Sequence, residues 1–239
     1  MLRGLLGAGV LALLAGLGMA MWVALRVLAT VHALNTAALN LHQGGAFQLP
    51  PLQLREAQEV GQALHRAAHA IEQVQYMANH DLLTGLANRG LFFEVARQRL
   101  ELARRQQRPV ALLALDLDGF KAVNDTEGHA AGDSLLKEVA ERLQASCRQA
   151  DLVARLGGDE FVVLLSDSDA HQARQTGDRL LAALAPPWTA STQAVTASVG
   201  LALFPDHAQA LDDLMLEADR ALYAAKGNGK SRLAVAGSA

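Results

Sequence analysis

Residues 155–161, Arg155-Leu156-Gly157-Gly158-Asp159-Glu160-Phe161, decide the fold of this chain, and the apolar run 162–165 follows them directly. A second short run of mostly apolar residues, 152–154, precedes them. Two strand-like runs separated by a Gly-Gly turn are typical of a β-hairpin, in which glycine lets the backbone bend sharply. Acidic residues occur in turns for purely structural reasons too. Two adjacent carboxylates at the tip, Asp159 and Glu160, nevertheless indicate a role in metal binding or proton transfer.

Composition narrows the classes of protein to which the chain can belong. It has 239 residues, a formal net charge of −3 and 51% hydrophobic residues. This slight acidity provides no basic face for nucleic acid, so we expect no nucleic-acid partner. Cys147 is the single cysteine, which excludes an intrachain disulfide and a cysteine-rich zinc site. The length suits one ordinary domain plus a smaller module and a membrane segment.

The N-terminal residues predict a membrane-spanning helix over residues 4–28. Residues 4–25 carry no charge, Arg3 and Arg26 bracket them, and Trp22 stands near one end, where interfacial aromatic residues are enriched. As a helix this run spans about 33 Å, enough to cross the hydrocarbon core of a bilayer. A cleaved signal peptide, with 31–33 as its cleavage site, is the alternative. We favour a retained anchor because the run is longer than the apolar part of a usual signal peptide.

Residues 29–78 predict a helical linker between this anchor and the rest of the chain. Gly44-Gly45 and Pro50-Pro51 interrupt it, and a second helix is predicted from about Gln53 to Met77. Apolar residues at spacings of three and four form a stripe on that helix, as on a helix that faces a partner. The arrangement, with Glu59-Val60-Gly61 near the start of the second helix, resembles a HAMP module. A generic coiled-coil linker is the alternative, and both interpretations predict a parallel dimer.

His65 and His69 stand four residues apart on this second helix. Such a spacing can place two imidazoles on one metal ion, but the sequence shows no third ligand beside them. The sequence alone therefore favours two solvent-exposed histidines.

A buried strand that ends in carboxylates supplies the second half of the candidate site. The apolar run 110–115 predicts a central strand, and Asp116-Leu117-Asp118 follows it. Carboxylates at this position suit a hard cation with oxygen ligands. A calcium-binding EF-hand loop is excluded, because Lys121 stands where that loop requires glycine. If the sheet places Asp116 beside the hairpin tip, Asp116 and Asp159 can share two Mg²⁺ ions, the arrangement used for displacement at phosphorus.

Residues 79–235 resemble the GGDEF family, the diguanylate cyclases. The resemblance rests on five blocks in the family's order: the opening 81–89, the pattern from Asp116 to Asp133, the signature 157–161, the strand 198–202 and the helix 218–226. It implies an α/β fold, a palm-like domain similar to that of nucleotide cyclases and polymerases, with a central, mostly antiparallel sheet flanked by helices. The transmembrane helix and the HAMP-like linker would precede this domain.

The resemblance also implies a role for each matching residue. Asp159, Glu160 and Lys121 would be catalytic, and two Mg²⁺ (or Mn²⁺) ions per active half-site would be held by Asp116, the backbone carbonyl of Leu117 and Asp159. GTP would be bound by Asn124, Asp133, His129, Lys226 and Lys230. Lys230 replaces the arginine that is usual in the family, which removes a bidentate contact to phosphate. Arg148 and Asp151 match an inhibitory site for cyclic di-GMP.

The implied reaction condenses two GTP into cyclic di-GMP and releases two pyrophosphates, across a homodimer with one GTP per domain. Since its substrate is cytosolic, we expect the catalytic domain on the cytoplasmic side of a bacterial inner membrane, held by a single-pass helix. One alternative is a catalytically inactive receptor for GTP or cyclic di-GMP. Another is a membrane-anchored scaffold, although that would leave the acidic residues without a role.

Overall fold

A computed structural model of the chain describes residues 55–237, without the side chains of 55–61, together with 17–19, 21, 22, 25 and 29. The chain divides into two compact units, Met1–Tyr76 and Met77–Ala239. Within the residues that the structure describes, no helix has the length and apolar character needed to cross a membrane. Most of the predicted membrane segment 4–28, and all of the linker from 30 to 54, lie outside the described residues.

Helix α1, Arg55–Asn79, is the long helix predicted after the proline pair, and its bounds agree with the prediction to within two residues. The side chains of Ile71 and Val74, two members of the predicted apolar stripe, are 46% and 61% exposed in the single chain. The dimer that this stripe predicts stays a prediction.

The second unit is built on a five-stranded sheet flanked by helices. Its strands are β1 (Val110–Asp118), β2 (Leu152–Gly157), β3 (Glu160–Ser166), β4 (Thr196–Phe204) and β5 (Leu233–Val235), in the spatial order β2-β3-β1-β4-β5. Only β4 and β5 are parallel among these neighbours, so the predicted mostly antiparallel sheet is confirmed. The helices are α2 (Arg89–Gln106), α3 (Phe120–Glu127), α4 (His129–Ser146), α5 (Ala170–Ala183) and α6 (Leu211–Gly227).

The two faces of the sheet bury two separate hydrophobic clusters, because successive side chains of a strand point to opposite faces. Ala111, Leu113 and Leu115 of β1 join residues of α4 and α5 on one face. Leu112 and Ala114 join residues of α2 and α6 on the other. Strand β1 is therefore buried on both sides, as its continuous apolar run predicts.

Helix α6 approaches the sheet closely at Gly200 of β4. A Cβ atom added there would collide with the backbone of Ala218 and Leu222. This contact fixes the height of α6 above the sheet, and with it the position of Lys226 in the last turn of that helix.

The segment between β1 and α4 departs from the sequence-based expectation. The apolar positions 135, 136, 139 and 143 predict a helix that begins at Asp133. Helix α4 begins four residues earlier, at His129, and a short helix, α3, precedes it. Gly128 separates the two helices with φ of 86°, a left-handed conformation that glycine adopts without steric cost. Asp133 consequently lies one turn inside α4 and does not cap it.

Candidate active site

The β2–β3 hairpin holds Asp159 at a tight turn. Gly157 pairs with Glu160 across the hairpin, which leaves Gly158 and Asp159 as the two turn residues. Gly158 has φ of 54°, again in the region that favours glycine. The guanidinium of Arg155 donates two hydrogen bonds, of 2.9 and 2.7 Å, to the carbonyl oxygen of Gly158. The predicted hairpin is confirmed, and its tip is fixed by an arginine of its own first strand.

The sheet places Asp116 beside that tip. Asp116 pairs with Glu160 of β3 on one side and with Ser198 of β4 on the other. It is the last residue of β1 that pairs with β3, so Leu117 and Asp118 extend past the end of the neighbouring strand. Lys226 Nζ lies 2.7 Å from Asp116 Oδ2. The expected proximity of Asp116 to the hairpin tip is therefore found, and a lysine from α6 joins it.

The electrostatics of Asp116 favour the presence of positive charge. Burial raises the pKa of its carboxyl above the usual value; the hydrogen bond from Lys226 opposes this shift, and the negative charges of Asp159 and Asp118 add to it. Carboxylates held together against their mutual repulsion are stabilised by a cation. No three His, Cys, Asp or Glu side chains in the described part of the chain are grouped so as to hold a metal. The donors present fit a hard ion such as Mg²⁺, which takes few protein carboxylates and completes its shell with water and phosphate oxygens.

Asp118 has a structural role that the sequence did not reveal. Its side chain is buried, and its Oδ2 accepts hydrogen bonds from Ser198 Oγ at 2.8 Å, Thr196 Oγ1 at 3.2 Å and the backbone N–H of Ser231 at 3.2 Å. A buried carboxylate requires such partners. The signal in the sequence was an aspartate two residues after Asp116, hence on the same face of an otherwise apolar strand.

This contact also positions the segment that carries Lys230. Lys230 and Ser231 adopt φ of 61° and 47°, and the Lys230 N–H donates to the carbonyl oxygen of Ala225 at 3.1 Å. Because Asp118 binds the next residue, Ser231, the predicted phosphate-binding Lys230 is held near the end of β1. Lys226, the other predicted phosphate ligand, is paired with Asp116.

The residues expected to bind guanine lie on α3 and α4. Asn124 of α3 lies against Gly132 of α4, where a Cβ atom would collide with its Oδ1. Asp133, which follows Gly132, is exposed, as are Lys121 and His129. A cleft of about 500 Å³ is lined by Asp116, Glu160 and Lys226 together with residues of α2 and α6. Asn124, Asp133, His129 and Lys121 are not among the residues that line this cleft.

Arg148 and Asp151 form a turn before β2. The Asp151 carboxylate accepts the backbone N–H of Arg148 at 2.8 Å, and the Arg148 carbonyl accepts the N–H of Asp151 at 3.0 Å. Both residues line a separate cleft of about 410 Å³, together with His80 and Cys147. Burial raises the pKa of the Cys147 thiol to about 12, which disfavours the thiolate, the reactive form of cysteine.

Asp81 is a second residue for which the sequence assigned no role. It accepts hydrogen bonds from Arg155 Nη1 at 3.0 Å and from the N–H and hydroxyl of Thr84 at 2.9 and 2.7 Å. Burial alone would raise the pKa of Asp81, but these bonds outweigh it, and the pKa lies below its usual value. Arg155 therefore joins the turn after α1 to the tip that carries Asp159.

The family model described as "Diguanylate cyclase, GGDEF domain" matches residues 78–232, which include every element of this site. The chain belongs to the GGDEF family. It is 43% identical over 166 residues to the bifunctional diguanylate cyclase/cyclic di-GMP phosphodiesterase MucR of Pseudomonas aeruginosa, covering 69% of this chain and 24% of MucR. It is 40% identical over 165 residues to the diguanylate cyclase TpbB of that species, covering 66% of this chain and 38% of TpbB. The chain thus spans less than half the length of these curated relatives.

Solved structures of GGDEF proteins share the fold. The isolated GGDEF domain of TpbB matches with a TM-score of 0.63 and 38% identity, covering 66% of this chain and 94% of that one. The coiled coil and GGDEF domain of DgcB from Caulobacter crescentus, in complex with cyclic di-GMP, matches with a TM-score of 0.68 and 29% identity, covering 76% and 97%. The palm-like α/β fold is accordingly confirmed.

Proposed function

We propose that this protein is a diguanylate cyclase, which condenses two GTP into cyclic di-GMP and releases two pyrophosphates. The observation that carries the proposal is the placement of Asp116 beside the hairpin tip that holds Asp159, with Lys226 Nζ 2.7 Å from Asp116. A carboxylate pair with a lysine at the end of a buried strand is suited to binding a triphosphate and its cation. The family to which the chain belongs supports the same reaction.

In the proposed reaction, the 3′-hydroxyl of one GTP attacks the α-phosphorus of the other and displaces pyrophosphate, and the step is repeated to close the ring. Divalent ions held by Asp116, the Leu117 carbonyl and Asp159 would lower the pKa of the attacking hydroxyl and neutralise the triphosphate, with two Mg²⁺ or Mn²⁺ per half-site proposed. Asp159 is the proposed acceptor of the hydroxyl proton, and Glu160 assists in metal or proton handling. Lys121 stabilises the charge of the transferring phosphoryl group.

The remaining residues bind the substrate. Asn124 and Asp133 read the guanine edge, because a carboxylate accepts hydrogen bonds from N1–H and the N2 amino group, which adenine lacks. His129, at the start of α4, also contributes to the binding of GTP. Lys226 and Lys230 bind the β- and γ-phosphates. When GTP binds, the ammonium group of Lys226 therefore leaves the Asp116 carboxylate and pairs with phosphate.

Product inhibition is a second part of the proposal. Arg148 and Asp151 line a cleft of about 410 Å³ that is distinct from the cleft at Asp116. Arginine donates bidentate hydrogen bonds to phosphate, and aspartate accepts from guanine. We assign cyclic di-GMP to this cleft, and the complex of DgcB with cyclic di-GMP is consistent with product binding in this family.

The N-terminal part completes the proposal. Two GGDEF domains must meet to join two GTP molecules, so we propose a homodimer formed through α1 and the HAMP-like or coiled-coil linker. We further propose that residues 4–28 anchor the chain in the bacterial inner membrane, with the catalytic domain in the cytoplasm.

The test is product formation from GTP and Mg²⁺ by membranes that carry the full chain. Asp159→Ala is compared with Asp178→Ala, which removes an exposed carboxylate from α5. We expect cyclic di-GMP from the wild type and Asp178→Ala, and at least a 100-fold loss in Asp159→Ala. Equal activity of the wild type and Asp159→Ala would contradict the catalytic role proposed for Asp159. If the wild type makes no product but binds cyclic di-GMP, the protein is an inactive receptor.

A further inference from the structure

Helix α1 brings His65 and His69 into direct contact one turn apart. Their Nε2 atoms are 3.1 Å apart, with ring centroids at 4.4 Å and ring planes at 88°. Two Nε2 atoms face each other in this arrangement, so in the neutral state one ring must donate a proton to the other. The proton that bridges them occupies the place that a metal ion could take.

The separation of these two nitrogens fits a shared metal ion. With metal–nitrogen distances of about 2.05 Å, two ligands lie about 2.9 Å apart at a right angle and about 3.3 Å apart at a tetrahedral angle. The observed 3.1 Å falls between these values. Both rings can therefore bind one ion with little change of rotamer.

Glu72 provides the outer contact that metal-binding histidines usually have. Its Oε2 lies 3.4 Å from Nδ1 of His69, the ring nitrogen that does not face His65. A ligating histidine commonly donates its second N–H to a carboxylate, which fixes the tautomer and increases the basicity of the ligating nitrogen. A proton on Nδ1, facing Glu72, would leave Nε2 of His69 available for metal.

We propose that His65 and His69 form a binding site for a late first-row transition metal ion, with Zn²⁺ as the commonest candidate, and that Glu72 orients His69 in it. Imidazole suits Zn²⁺, Cu²⁺ and Ni²⁺, whereas Mg²⁺ prefers oxygen ligands. The site is therefore selective against the ion expected at Asp116. His69 and Glu72 are 60% and 65% exposed, so water can fill the remaining coordination positions.

The site couples metal binding to the stability of helix α1. The helical conformation of residues 65–69 brings the two imidazoles together, because positions four apart lie on the same face of a helix. An ion bound there adds its binding free energy to the helical state. Helix α1 ends at Asn79, directly before the GGDEF domain. Binding of the metal ion would therefore stabilise the segment that precedes this domain. The proposal does not depend on the proposed cyclase activity.

The experiment measures Zn²⁺ affinity of the full chain against a chromogenic chelator, in excess Mg²⁺ so that oxygen-rich sites are filled. We expect His65→Gln and His69→Gln each to weaken binding at least 10-fold and Glu72→Gln to weaken it about 10-fold. His171→Gln, which alters an exposed histidine on α5, is the matched control and should bind like the wild type. All four side chains are exposed, so folding is preserved.

Two further readouts separate this site from others. Cu²⁺ bound to the wild type should show two nitrogen ligands by electron paramagnetic resonance, and Zn²⁺ should raise the melting temperature of the helical circular dichroism signal in the wild type but not in His69→Gln. Binding that is unchanged in both histidine variants, or lost equally in His171→Gln, would overturn the proposal. Loss of Zn²⁺ binding in Asp159→Ala would also overturn it, because the ion would then belong to the catalytic carboxylates.

Discussion

At the residue scale, a single methyl group added at Gly132 is expected to weaken the binding of the nucleotide. A Cβ atom there collides with Oδ1 of Asn124, the residue proposed to bind guanine. We expect Gly132→Ala to raise the KM for GTP about 10-fold, with a smaller effect on kcat, because the displaced amide weakens ground-state binding.

Gly227→Ala is the control for this substitution. A Cβ atom at Gly227 meets nothing within 4 Å and the residue has no positive φ. Steady-state kinetics with GTP should therefore separate the two variants, and an unchanged KM in Gly132→Ala would contradict the placement of guanine beside Asn124.

Residues of the site differ in how far the sequence could predict them. Local patterns, a buried strand that ends in acid and a glycine turn that carries acid, indicated Asp116 and Asp159 as site residues, and their proximity was expected only if the sheet placed the strand beside the hairpin tip. The partners of Asp118 and Arg155 did not, because they are 78 and 74 residues distant, at Thr196 and Asp81. Such pairings are decided by the packing of the sheet, which local periodicity does not specify.

At the scale of elements, Arg155 makes the turn after α1 and the β2–β3 hairpin interdependent. Asp81→Asn removes the charge that Arg155 binds, and we expect it to lower the free energy of unfolding by about 1–2 kcal/mol at pH 7. The pKa of Asp81 in the folded protein lies below its ordinary value of 3.8. Its contribution is therefore complete above the unfolded pKa and is lost as pH falls through the folded pKa.

Urea unfolding of both proteins between pH 3 and pH 7 checks this expectation. The stability difference should be constant above about pH 5 and shrink toward pH 3. Asp167→Asn is the control, because its ion pair with Arg108 is more than half exposed on both sides and should contribute little. A difference between wild type and Asp81→Asn that persists at low pH would show that the ion pair is not its cause.

The elements themselves were more predictable than their junctions. The long apolar run of β1 predicted that strand, and the apolar stripe of α1 predicted a helix whose bounds agree to within two residues. Helix α3, strand β5 and the true start of α4 were missed. Helix α3 has eight residues and β5 has three, and Gly128 rather than an acidic cap sets the boundary. Segments of this length lack enough turns or alternations to produce a periodic signal.

At the scale of the whole molecule, the division at Tyr76 and Met77 predicts that the second unit folds alone. Removal of residues 1–76 should leave the urea midpoint of that unit unchanged. The same truncation should make product formation fall more steeply on dilution than in the full chain, because tethered dimerisation is lost.

Specific activity measured across a range of protein concentrations tests this expectation. Equal dilution profiles for the full and truncated chains would show that the N-terminal residues do not bring two domains together. A lowered urea midpoint would show instead that the second unit depends on the first for its stability.

The hydrogen bonds of Asp118 also set the order in which the protein can become active during its synthesis. This carboxylate joins strands β1 and β4 to Ser231, which lies 113 residues after Asp118. The ribosome must therefore synthesise residue 231 before the segment with Lys230 can close against β1. Until then a nascent chain, already able to form the hairpin and the central strands, would lack its complete phosphate-binding segment.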